Sequence, residues 1–257
     1  MTSLGRFILF ILLIVPLSAV ASSSGEPIQF ILEKAQENDV ILFGTTHKRD
    51  DILDFLAELL PRLPANGITH IGFEIDSDQQ GAIENYIATG NGLDAIQVLP
   101  TIDCPKYRRL IQIMRGTSLK PIAIDLPASK WHTPDTRDEW MARSITEAMD
   151  GYEKSKVFVV AGGIHTLKRV GWLVNKDHGA IRPYLKQMRP DLKVYTIYSC
   201  IGCDDDEGTF RNIAGVDAGG FILETKGLDL PFERLNDMLN AKPLTVQDAV
   251  DAVLFYD

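Results

Sequence analysis

The apolar positions of this chain follow two rhythms in alternation. Short, nearly unbroken apolar runs rich in β-branched and aromatic residues are separated by longer stretches in which apolar residues recur every three or four positions. The first rhythm belongs to strands covered on both faces, the second to amphipathic helices. Strands are predicted at 39–44, 69–73, 121–124, 156–161 and 193–198, with later ones at 220–223 and 252–256. Helices are predicted over 27–36, 50–63, 77–88, 105–115, 137–150 and 179–188. Gly67 and the Gly90-Asn91-Gly92 run supply stops, and Thr136-Arg137-Asp138-Glu139 reads as a capping box.

Strand and helix in strict alternation predict one α/β domain: a mostly parallel sheet flanked by helices on both faces, with right-handed crossovers. The 257 residues, 45% of them hydrophobic, suffice for one core, and no internal repeat is visible. Arg6, an apolar run from Phe7 to Leu17 and Ala19-Val20-Ala21 have the layout of a secretory signal peptide. The expected organisation is a signal peptide over 1–21, an N-terminal arm and helix over 22–38, and the α/β domain over 39–257. The leader predicts an exported protein, periplasmic or secreted, with no stable membrane association after cleavage.

The candidate chemistry sits where the strands stop. The strand 39–44 runs on to His47, 69–73 delivers Glu74, 121–124 delivers Asp125, and 156–161 breaks at Gly162-Gly163, where a sharp turn is expected, before His165. In a parallel sheet those ends share one rim. Two imidazoles and a carboxylate, His47, Glu74 and His165, are the ligand types of a divalent transition metal such as Mn, Co or Zn. Without metal the same groups serve as general base and acid. Either carboxylate alone serves equally well as a helix cap, and Asp125 is the member expected to be structural. Arg137 is a further candidate, because a cation in the first turn of a helix opposes the helix dipole and calls for an anionic partner.

Charge and cysteines narrow the partners. The net charge of −9 leaves no basic footprint for nucleic acid and disfavours anionic membranes, so a small-molecule or peptide substrate is expected. In an exported protein Cys200 and Cys203 are expected to form a disulfide, with Cys104 as an alternative partner for either. The acidic run from Asp204 to Glu207 lacks calcium-loop spacing and reads as a solvated turn.

Taken in order, Leu42-Phe43-Gly44-Thr45-Thr46-His47, Phe73-Glu74, Arg137-Asp138-Glu139-Trp140-Met141-Ala142 and Ala161-Gly162-Gly163-Ile164-His165 resemble the erythromycin esterase, ChaN and Tiki superfamily. The resemblance covers most of the chain after residue 39. It implies that His47, Glu74, Arg137 and His165 are the catalytic residues of a metal-dependent hydrolase acting on an ester or peptide bond. It also implies an alternative, a haem- or metal-binding protein of the iron-uptake type without turnover. Thr45 stands where the esterase and ChaN branches carry an acidic residue, which leans towards the Tiki pattern. The haem-binding branch is a lipoprotein with a tyrosine ligand, and no Cys follows Ala21 here to accept a lipid.

Overall fold

The computed structural model describes residues 23–24, 26–133, 136–151, 154–170, 180–199, 204–232 and 244–256. The predicted signal peptide and the Cys200–Cys203 pair lie outside them; Cys104 makes no disulfide among the described residues.

Eight strands form one sheet: β1 (Ser23–Ser24), β2 (Val40–Thr45), β3 (His70–Asp76), β4 (Lys120–Asp125), β5 (Val157–Gly162), β6 (Val194–Ser199), β7 (Phe221–Glu224) and β8 (Ala252–Phe255). Their order is β1-β7-β8-β6-β2-β5-β3-β4. From β8 to β4 every pairing is parallel; β7 runs antiparallel to β8, and β1 to β7. Among the described residues the α-helices are α1 (Pro27–Glu37), α2 (Asp50–Leu59), α3 (Gln80–Thr89), α4 (Pro105–Met114), α5 (Arg137–Asp150), α6 (Gly163–Thr166), α7 (Ile181–Met188), α8 (Asp204–Ala214) and α9 (Val246–Ala249).

β2 from Val40 to Phe43 and β5 from Val157 to Ala161 are apolar throughout because both faces are covered. Ile41 and Phe43 of β2, with Phe158 and Val160 of β5, pack on one side with Phe30 of α1, Phe55 and Leu56 of α2 and Leu110 of α4. Their neighbours Val40, Leu42, Val157 and Val159 pack on the other with Met141 and Ile145 of α5 and Leu185 of α7. Each such fully buried side chain contributes about 1.5–3 kcal/mol relative to exposure.

The helix expected within 22–38 is α1, whose Phe30, Ile31 and Ala35 belong to the main core, and Ser23–Ser24 pairs with β7. Two expectations change. The acidic run opens α8 rather than a turn. Glu207 pairs with Arg211 one turn on at 2.6 Å. The helix expected over 50–63 tightens into 3-10 turns from Leu60, with Gly67 left-handed at its end.

Candidate functional site

Parallel pairing puts the C-terminal ends of β2, β5, β3 and β4 side by side. Thr45 lies opposite Gly162 across β2 and β5, and Phe73 opposite Val160 across β3 and β5. Glu74 is not past the end of its strand, as expected, but within β3, where the register to β4 shifts between Phe73 and Asp76. His47 is exposed two residues beyond β2, and the next residue, Lys48, is left-handed at φ 55°. His165 is held in α6 directly after β5, and Arg137 is the first residue of α5. Thr136 caps that helix, its hydroxyl accepting from Glu139 N–H at 3.2 Å.

Three of these side chains meet above Gly162. A methyl group on its Cα would lie 3.3 Å from His47 Cε1, 3.4 Å from Glu74 Oε2 and 3.4 Å from His165 Cδ2. The Gly162 N–H donates to Glu74 Oε2 at 2.6 Å. Gly162 has an ordinary backbone, φ −54°, so no sharp turn demands it; the crowding of three side chains does. Gly163 is small for the same reason, since a methyl there would come within 2.4 Å of the Tyr198 ring.

Arg137 ties the carboxylates to this centre. Its Nε donates to Asp125 Oδ1 at 2.7 Å, and its Nη2 to Glu74 Oε1 at 2.8 Å and to Asp125 Oδ2. Nη1 lies 3.3 Å from His165 Nε2. A guanidinium has five N–H donors. Four are spent on these contacts, and the side chain remains 35% exposed. Glu74 and Asp125, 3% and 1% exposed, share this one cation. Burial of Arg137 opposes its charge, but Asp125 and Glu74 outweigh that and raise its pKa further.

His165 is fixed from its other nitrogen. Nδ1 lies 2.7 Å from Asp138 Oδ1, and an ionised carboxylate only accepts, so Nδ1 carries the proton. Burial opposes an imidazolium here, yet the hydrogen bond to Asp138 and the charges of Asp138 and Glu74 prevail, and the His165 pKa is raised.

Structural comparison places this arrangement among known folds. No family model matches the chain, and no curated protein matches it. A succinoglycan biosynthesis protein superposes with TM-score 0.68 at 12% identity, covering 93% of this chain and 94% of that one. An erythromycin esterase, EreC in an open conformation, gives 0.60 at 11% identity with coverages of 89% and 92%. ChaN of Campylobacter jejuni, described with cofacially bound haem, gives 0.58 at 12% identity with 89% and 91%. The chain has the ChaN and erythromycin esterase fold.

On that fold His47, Glu74, Arg137, His165 and Asp125 are all brought to one rim, as their sequence positions suggest. As ligands for a metal, His47, Glu74 and His165 do not fit. Among the described residues no three His, Cys, Asp or Glu groups stand where they could hold a metal ion together. The reason is Arg137: it bonds Glu74 Oε1 and faces His165 Nε2, so a guanidinium takes the place where a cation would bind.

Two members of the rim of this ChaN/esterase fold escape sequence reasoning. Asp138 hid inside the capping signal, although it lies on the buried stripe of α5 with Met141, Ala142, Ile145 and Met149. An acid on an apolar stripe is the signal that points to it. Tyr107 of α4 gave no such signal, because a tyrosine at helical spacing reads as core.

Proposed function

We propose that this protein is a hydrolase of an ester or peptide bond that works with protein groups alone. The observation that carries this reading is the convergence of His47, Glu74 and His165 on Gly162, with Arg137 bonded to Glu74 and facing His165. His47 is the exposed imidazole and acts as general base towards water. Glu74 is better suited to holding charge and position, since both of its oxygens already accept hydrogen bonds. Arg137 offers its unspent N–H to the oxyanion that develops as water adds to the carbonyl. Above its raised pKa, His165 is neutral and, oriented by Asp138, steadies that guanidinium through its Nε2 lone pair. The substrate is a small molecule or peptide, and the predicted leader makes the enzyme an exported one.

The test is a panel of activated esters and short peptides offered to untagged protein, with and without EDTA, beside His47→Ala. Turnover that survives EDTA and is lost in the variant supports the reading; turnover abolished by EDTA, or none above the variant, overturns it. A second reading, haem carried through His47, is favoured by the likeness to haem-binding ChaN over most of both chains. It predicts a Soret band on haem titration that His47→Ala removes.

A further inference from the structure

The Tyr107 hydroxyl is buried against the Glu74 main chain and finds no side-chain hydrogen-bond partner among the described residues. Buried polar groups left unsatisfied are costly and uncommon. The residue is not misplaced at random. Its ring stacks edge-on against Phe73, the residue before Glu74, at 6.1 Å and 72°. With Thr45, Thr46, His47 and Glu74 it lines a small cavity beneath the rim, with about 10 Å³ of room for water centres. That is space for about one water, and a buried water needs two to four polar partners. The hydroxyl, the Glu74 carboxylate and the His47 imidazole supply them.

We infer that this cavity seats the water consumed in the reaction, and that Tyr107 is a catalytic residue that donates a hydrogen bond to it. The inference rests on the hydrolase reading above. Burial, then the charges of Glu74 and Asp125, push the phenol well above the ordinary tyrosine value, so the hydroxyl stays protonated and can only direct the water, not deprotonate it. Donation from Tyr107 occupies one lone pair of the water. Its protons face His47 and Glu74, and the second lone pair is left for the carbonyl carbon. As the new C–O bond forms, one water proton passes to His47 and the negative charge moves to the carbonyl oxygen beside Arg137. Collapse of that intermediate breaks the bond to the leaving alkoxide or amine, which takes the proton from His47, and acid plus alcohol or amine are released.

The experiment pairs crystal structures of the wild type and Tyr107→Phe with their rates on one ester substrate. Phe keeps the ring and its packing on Phe73. The inference predicts a water within hydrogen-bonding distance of the Tyr107 hydroxyl in the wild type and its loss in the variant. It also predicts a fall in kcat of at least about tenfold with no drop in Tm. A dry cavity in the wild type overturns it whatever the rates, and so does an unchanged rate with the water lost. If the water is present but the wild type hydrolyses nothing, the hydrolase reading has failed and the catalytic role of Tyr107 falls with it, while the cavity water stands.

Discussion

His165 donates its Nδ1–H to Asp138 across 2.7 Å, which turns the Nε2 lone pair towards Arg137 Nη1 at 3.3 Å. One carboxylate thus sets both the tautomer of the imidazole and the seat of the guanidinium. Because the His165 pKa is raised in the fold, the stability it contributes is complete below the ordinary value of 6.5 and is lost as pH rises through the folded value. Asp138→Asn removes the charge but keeps an acceptor. The His165 ring proton, followed by NMR, should titrate above 6.5 in the wild type and at lower pH in the variant. The variant's stability deficit should be largest in acid and shrink as pH rises past the wild-type value. An unmoved titration contradicts this assignment.

Arg137 compensates two carboxylates that are almost fully buried. Truncating one partner of a buried ion pair costs about 3–5 kcal/mol. A third of this side chain is in solvent, so Arg137→Ala should cost towards the low end of that range in denaturant unfolding. Adding Asp125→Asn to Arg137→Ala should recover part of the loss, since one stranded charge is then gone. Equal stability of the single and double variants would show that Asp125 is not the group Arg137 neutralises.

Gly162 and Gly163 separate catalysis from packing. At Gly162 the atoms nearest to a methyl group are side-chain atoms of His47, Glu74 and His165, at 3.3–3.4 Å, and the backbone angles suit alanine. Gly162→Ala should therefore fold with nearly wild-type Tm and lose most of its activity. At Gly163 the methyl group would sit 2.4 Å from the Tyr198 ring, so Gly163→Ala should lower Tm clearly, by a cost of about 1–3 kcal/mol for overpacking. Matched thermal melts and rates decide this; a Gly162→Ala protein of full activity contradicts the crowding.

Most strand ends were legible because a strand buried on both faces writes itself as an apolar run, and His47, Asp125 and His165 each come shortly after one, while Glu74 follows the mixed stretch Thr69-His70-Ile71-Gly72-Phe73. The pattern also marked Arg137, since a cation in a first helical turn needs an explanation. What it could not supply is where that cation goes. Only the register of β3 against β5 and of β4 against β3 brings Asp125 and Glu74 to Arg137, and with it the conflict with a metal at His47, Glu74 and His165. Asp138 was hidden by its neighbours: Thr136 and Glu139 carry the capping signal, and the acid between them faces the interior. The glycine pair was visible, but its reason was misread as a turn, because crowding by Tyr198 and the rim side chains comes from distant sequence.

His47 and His165 serve one site. A double-mutant cycle of His47→Ala and His165→Ala, read as kcat/KM on one ester substrate, tests it most directly. Residues that act as a unit are strongly non-additive, so each single variant should lose about 10²-fold or more and the double variant little beyond the worse of the two. Losses that simply multiply in the double variant would mean that the two imidazoles work independently, and would contradict the account.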